Sequence, residues 1–405
     1  MRVRTALVGA IVAGAAVTQA GVAAAAPARD GHTATREAVR AAVHDGVPGV
    51  TATAVDRRGR WSATAGVGDL RTGTPRSSAD RYRVGSITKT FVSTVLLQLE
   101  AEKRLSLDDS VETWLPGVVR GNGYDGSKIT VRQLLNHTSG IFNYTADDDF
   151  VATHFARDGF LRHRYDTLTP GQLVAVALAH KPDFAPGTSW NYSNTNYVLA
   201  GMVIEKVTGR SYASEIRDRI IKPLNLQATS LPGTRSAVPG PHSRAYSKLA
   251  ETTTGATYDV TALNPSMASS AGEVISDNAD LDRFYGALLR GGLLPREQLK
   301  EMKSIVRIDG VPNGGYGLGL LEQTLSCGVR IWGHDGGIHG SSSVAVTTED
   351  GRHSIAFNFN GDWTGNAEAV VEAEFCGTRP AAAPRSAAPA PAGLLADRRQ
   401  SPNRL

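Results

Sequence analysis

The sequence predicts a mixed α/β (α+β) fold, an antiparallel sheet flanked by helices, joined to a mostly helical second region. Three observations carry this. Val50 to Val67 alternates apolar and polar residues and turns at Asp56-Arg57-Arg58-Gly59, which reads as a hairpin. Val329 to Phe359 gives further strand patterns turning at Glu349-Asp350-Gly351. Between them the pattern is mainly helical, with long loops. The N- and C-terminal segments therefore combine into one sheet, about 32–85 with 270–377, and 86–269 forms the helical part.

Taken in order, residues 1–26 read as a secretory signal peptide. Arg2 and Arg4 precede an apolar run from Ala6 to Val17, and Ala24-Ala25-Ala26 offers a cleavage site. That run is too short and too rich in Ala and Gly for a membrane span. The expected product is secreted, with no stable membrane anchor. The catalytic region is placed at 27–377. Residues 378–405 are dominated by Ala, Pro and Arg and are expected to be disordered. The formal charge of +4 belongs to the ends: two arginines in 1–26, and five arginines against one aspartate in 378–405, leave −2 between. That balance argues against a nucleic-acid partner.

Two cysteines, Cys327 and Cys376, in an exported chain imply one disulfide, tying the strand region near 329 to a C-terminal helix over Asn366 to Phe375. The ten histidines are scattered, none at a zinc spacing with an acidic partner. No metal or cofactor is expected. His32, His44, His154, His163, His180, His242 and His353 read as ordinary surface or core residues. Gly121-Asn122-Gly123-Tyr124-Asp125-Gly126 matches a dinucleotide-loop pattern, yet it follows no convincing strand and opens no helix, so it reads as a polar loop.

Chemistry concentrates in three places. Ser86-Ile87-Thr88-Lys89 leads into an apolar helical run, Phe91 to Leu99. A serine hydroxyl is a poor nucleophile until a base takes its proton, and a neutral lysine three residues on, along one helix face, can be that base. A helix start also presents free N–H groups to an oxyanion. Tyr192-Ser193-Asn194 falls between the turn at Pro186-Gly187 and a helix over Val198 to Val207 ending at Gly209, so Tyr192 and Asn194 are placed on a loop. Trp332-Gly333-His334-Asp335-Gly336-Gly337 follows a strand read as Val329 to Trp332, with His334 at or near its end. The glycines there admit a ligand or another backbone.

In this order the three segments resemble the active-site serine penicillin-recognising enzymes, with motifs S-x-x-K, Y-x-N or S-x-N, and K-T-G. Tyr192 and His334 point to the branch holding class C β-lactamases and secreted actinomycete D-alanyl-D-alanine carboxypeptidases. Leu134-Leu135-Asn136-His137-Thr138-Ser139-Gly140, Pro223-Leu224-Asn225-Leu226 and Tyr316-Gly317-Leu318-Gly319-Leu320 fit that branch too. The resemblance spans about residues 32 to 377 and implies a β-lactamase/DD-peptidase-like fold with the motifs meeting in a cleft. It also implies a serine-type D-alanyl-D-alanine carboxypeptidase-like hydrolase acting through a Ser86 acyl-enzyme. In that scheme Lys89 is the base, alone or sharing that role with Tyr192, Tyr192 protonates the leaving nitrogen, and Asn194 orients the substrate amide and Lys89. The N–H groups of Ser86 and Gly337 form the oxyanion hole. His334 supplies positive charge or polarises Tyr192.

Implied partners are peptidoglycan stem-peptide-like or other D-amino-acid peptides, with β-lactams as acylating ligands and the chain acting as a monomer. Where carboxypeptidases of this branch hold a terminal carboxylate, however, this chain has Leu321 in place of an arginine. Asp335 replaces the threonine of H-T-G, and Gly337 replaces a hydroxyl. An anion at Asp335 would repel a carboxylate by roughly a few kcal/mol in a poorly solvated cleft. Arg330 is no substitute, since four strand residues put it roughly 13 Å from His334. The alternatives are a D-stereospecific endopeptidase, aminopeptidase, amidase or esterase, a class C β-lactamase, and a penicillin-binding sensor without turnover. Asp335 could instead pair with His334 and leave carboxypeptidase activity intact.

Overall fold

The computed structural model describes residues 31–249, 255–308, 311 and 313–378. The signal-peptide reading over 1–26 and the tail reading over 378–405 fall on residues outside these, apart from Thr378. Eight strands form the sheet: β1 (Gly49–Asp56), β2 (Gly59–Gly66), β3 (Val306–Arg307), β4 (Gly314–Tyr316), β5 (Leu321–Thr324), β6 (Arg330–Ile338), β7 (Ser341–Thr348) and β8 (Ser354–Phe359). Their order is β2-β1-β8-β7-β6-β5-β4-β3, every pairing antiparallel. The N-terminal and C-terminal parts of the sheet meet where β1 pairs β8, with Val50 opposite Phe359. The predicted hairpin is present: Arg58 N–H donates to the Asp56 carboxylate at 2.7 Å, and Gly59 takes the positive φ of the turn.

Helices α1 (Thr33–His44), α2 (Thr88–Ala101), α3 (Asn194–Thr208), α4 (Asn278–Leu289) and α5 (Ala367–Cys376) frame the sheet. Val39, Ala42, Val370 and Val371 of α1 and α5 pack with Val50, Ile355 and Phe357 on one face. Phe91 of α2 stacks on Phe284 of α4 at 3.8 Å on the other. That second core continues into the helical region through Leu134, Val198 and Val203. Almost every residue of α2 is buried, the polar Thr88, Lys89, Thr90, Ser93 and Thr94 included, so the helix is enclosed around its whole circumference and runs between the two parts. Cys327 and Cys376 form the predicted disulfide, Cα atoms 5.6 Å apart, joining the β5–β6 turn to the end of α5.

Two local expectations are corrected. The strand expected to stop at Trp332 runs on to Ile338, so His334 is central in β6 rather than terminal. β7 supplies a ladder for the whole length, pairing His334 with Ala345 and Gly337 with Ser342. Glycines hide such a strand from any propensity argument. Asn194 is likewise not on a loop but is the first residue of α3. The segment around Gly121–Gly126 forms a two-residue ribbon and a single 3-10 turn, consistent with its reading as a polar loop.

Candidate active site

Ser86 sits in a 3-10 turn, Gly85–Ile87, that opens directly into α2. The turn presses against β6 so closely that side chains are excluded. A Cβ on Gly85, whose φ is +55°, would lie 2.8 Å from the Gly337 nitrogen, and one on Gly336 would lie 2.0 Å from the Val84 carbonyl. The Gly337 peptide is thereby held against the turn that carries the Ser86 N–H. Ser343 fixes the same contact from β7, donating its hydroxyl to the Val84 carbonyl at 3.0 Å.

Lys89, one turn into α2 and wholly buried, bonds to Ser86 Oγ at 2.9 Å, Asn194 Oδ1 at 2.8 Å and the Ala271 carbonyl at 2.8 Å. The last two groups only accept, so they take two amine protons. A neutral Lys89 then presents its lone pair to Ser86 Oγ, the arrangement needed to receive the serine proton. Tyr192 donates to Ser86 Oγ from the other side at 2.7 Å. Asn194 is itself fixed, its N–H on Asn143 Oδ1 at 3.0 Å and its Nδ2 on Thr145 Oγ1 at 3.1 Å.

His137 completes the support for Tyr192. It holds φ +62°, and its ring centroid lies 4.3 Å from the Tyr192 ring and 4.8 Å from the Tyr316 ring. Its Nδ1 accepts the Ser193 N–H at 3.2 Å, pinning the backbone next to Tyr192. From sequence this segment has a family likeness but no assigned role. Ala271 carries no side-chain signal at all, and only the fold delivers its carbonyl.

The third segment arrives as follows. His334, wholly buried, bonds through Nε2 to the Tyr316 hydroxyl at 2.9 Å and through Nδ1 to the Asp335 backbone carbonyl. The Asp335 carboxylate lies 3.6 Å from His334 Nδ1. Of the two roles expected for His334, supplying positive charge or polarising Tyr192, the geometry does not carry the second: the Tyr192 hydroxyl donates to Ser86 Oγ. Leu321 is buried in an apolar cluster with Tyr192, Val311 and Tyr316, and Trp190 and Ile308 pack on it. Arg330 pairs with Glu322 at 3.2 Å, consistent with its place at the far end of β6. Every predicted site residue except the Cys327–Cys376 pair therefore belongs to one connected set of contacts around Ser86, Tyr192 and His334. Among the described residues no group of three or more His, Cys, Asp or Glu is arranged to hold a metal ion.

A protein-family model described as Beta-lactamase matches residues 35–373. The chain belongs to the Beta-lactamase family. Its architecture resembles a D-stereospecific amidohydrolase from Streptomyces sp., with a TM-score of 0.82 and 64% identity over 86% of this chain and 99% of that one. It also resembles the D-amino acid amidase from Ochrobactrum anthropi SV3 in complex with D-phenylalanine, with a TM-score of 0.73 and 26% identity over 85% and 98% of the two chains. Among curated proteins, Penicillin-binding protein 4* of Bacillus subtilis is 28% identical over 301 residues, 71% of this chain. The chain spans 62% of the length of that relative. The active-site serine family named by the three motifs is thus the family of the chain.

Proposed function

We propose that this protein is a D-stereospecific serine amidohydrolase that cleaves amides of D-amino acids through a Ser86 acyl-enzyme. Ser86 Oγ attacks the amide carbonyl while its proton passes to Lys89. The new alkoxide is met by the N–H groups of Ser86 and Gly337. Collapse breaks the C–N bond as Tyr192 protonates the leaving nitrogen, which departs as ammonia or an amine. Water then attacks the ester carbonyl, giving one proton to the Tyr192 oxygen, and Lys89 returns its proton to Ser86 Oγ as the D-acid leaves, so all three side chains are restored.

The observation that carries the substrate class is the leaving-group side of the cleft. Leu321 is packed against Tyr192 and Tyr316, and Asp335 contributes an anion, where a free-acid peptide would require a cation. The likeness to a D-stereospecific amidohydrolase and to a D-amino acid amidase supports the same reading. The test is kcat/KM on D- and L-phenylalanine amide with Ser86→Ala as control. A strong D preference abolished by Ser86→Ala is expected, and equal rates on the two enantiomers would overturn it.

A D-alanyl-D-alanine carboxypeptidase is the second reading, favoured by the proximity of Asp335 to His334, which offsets part of its charge. Export through the N-terminal leader, with action on D-amino-acid peptides outside the cell, belongs to the proposal under either reading.

A further inference from the structure

Asn194 offers Lys89 its Oδ1 because one short segment fixes the rest of the residue. The Asn194 N–H is held by Asn143 Oδ1 at 3.0 Å and its Nδ2 by Thr145 Oγ1 at 3.1 Å, and both partners lie between Phe142 and Asp147. The two ends of that segment are gripped by a single side chain from elsewhere. The His180 ring stacks on the Phe142 ring, with centroids 3.9 Å apart and planes 17° from parallel. Its Nε2 meets Asp147 Oδ2 at 2.8 Å, and a carboxylate only accepts, so Nε2 carries the proton of that bond. The other oxygen, Asp147 Oδ1, accepts the Phe150 N–H at 2.7 Å and starts the helix Asp148–His154. From sequence His180 reads as an ordinary surface or core residue; in the fold it bridges both ends of the segment behind Asn194.

His180 is itself braced. It follows the helix Pro170–Leu178, and Asn122 Nδ2 reaches the carbonyls at the end of that helix, Leu178 at 3.3 Å, Ala179 at 2.9 Å and His180 at 2.7 Å. Asn122 takes a left-handed φ of +51° within the glycine-rich segment Gly121–Gly126. That segment, which matches a dinucleotide-loop pattern, thus serves as a brace for a helix end. Beyond His180 the chain runs on to Tyr192, with the Asp183 N–H on the Gly140 carbonyl at 2.9 Å and the Asn191 N–H on the His137 carbonyl at 3.1 Å. One histidine therefore heads the stretch that delivers Tyr192 and grips the segment that fixes Asn194.

We infer that His180 is a positioning residue for the Lys89 base, acting through Phe142 and Asp147 on Asn143 and Thr145, and through these on Asn194. The inference rests on the Ser86 acyl-transfer reading. Thr195 Oγ1 donates to the Phe142 carbonyl at 2.7 Å and the Tyr144 hydroxyl to the Met267 carbonyl at 2.7 Å, which sets where the segment lies. His180, gripping both ends, sets how far it turns about that line. A turn carries Asn143 Oδ1 and Thr145 Oγ1 away from Asn194 and its Oδ1 away from Lys89. The pair of acceptors that directs the amine lone pair at Ser86 Oγ, Asn194 Oδ1 and the Ala271 carbonyl, is then broken.

The test is a double-mutant cycle on the full chain, read with the nitrophenyl ester of D-phenylalanine, whose leaving group needs no proton from Tyr192. His180→Ala should lower kcat about tenfold or more with KM little changed, as a misplacement approaching 1 Å does. In an Asn194→Ala background the same substitution should cost less than about twofold, because residues that act as a unit are not additive. Equal factors in the two backgrounds would make His180 merely structural and overturn the inference. Should His180→Ala not fold, Asn122→Gly keeps the left-handed φ, removes the bonds to the helix end and makes the same prediction. Side-chain amide NMR gives a second readout. The Nδ2 signals of Asn194, identified by their absence from Asn194→Ala, should shift in His180→Ala, and unchanged signals would overturn the inference. That readout needs no substrate, so it decides the role of His180 whichever ester, amide or peptide the site turns over.

Discussion

Tyr192→Phe tests the division of labour around Ser86. The substitution removes one oxygen and leaves the ring among His137, Leu321 and Tyr316, so substrate binding and fold should change little. It deletes the 2.7 Å bond to Ser86 Oγ while Lys89 stays at 2.9 Å, so the base survives and the acid is lost. A positioned general acid contributes about 10²- to 10⁴-fold, or roughly 3 to 5 kcal/mol of barrier. That cost applies only where the leaving group must be protonated. An amide leaves as an amine and needs the proton, whereas a nitrophenyl ester of the same D-amino acid leaves as a stable anion. The assay is kcat/KM for D-phenylalanine amide beside its nitrophenyl ester, in wild type and variant. The amide should lose at least about tenfold more than the ester. Equal losses on both would refute Tyr192 as the proton donor to the leaving nitrogen and make its role the activation of Ser86.

Three further outcomes are expected. Asp335→Thr combined with Leu321→Arg should create cleavage of free-acid D-peptides, measured on a D-Ala-D-Ala substrate; no gain would show that these two positions do not set leaving-group preference. Cys327→Ser with Cys376→Ser opens a loop with a sequence separation of 49, which in the chain-entropy model costs about 4 kcal/mol, a fall of roughly 6 °C in Tm for a domain of this size, read by calorimetry. Glu374 is buried between His353 at 2.7 Å, Thr35 at 2.7 Å and His32 at 3.0 Å, tying α5 to the start of the described chain. Burial pushes its carboxyl up, but the hydrogen bonds from His353, Thr35 and His32 outweigh it and hold the pKa below the ordinary value of 4.5. Its stabilisation is therefore complete above that ordinary value and is lost as pH falls through the lowered one. Glu374→Gln should cost about 3 kcal/mol at neutral pH and flatten the acid limb of unfolding free energy against pH, followed by denaturant melts.

Much of the site is legible in the sequence where its geometry is local. Ser86 and Lys89 are three residues apart on one turn, so their contact follows from helix periodicity. The hairpin at Asp56–Gly59 and the strands from 329 onward mark the sheet, and only their pairing of β1 with β8 needed three dimensions. What stays hidden is whatever side-chain identity does not encode. The Ala271 carbonyl that binds Lys89 is backbone, delivered by a 3-10 turn far along the chain. The glycines of β6 conceal a strand that exists because β7 pairs with it and because Gly85 and Ser86 of the 3-10 turn need a face without side chains. His334 has its partner in Tyr316, 18 positions away on another strand, which no motif links to it.

The most direct measurement is kcat/KM on a diacylated Lys-D-Ala-D-Ala peptide and its C-terminal amide, with Ser86→Ala alongside. Preference for the amide, lost with the serine, is the result predicted for a D-amidohydrolase whose cleft sets Leu321 and Asp335 against a carboxylate. Preference for the free acid would contradict it and identify a carboxypeptidase.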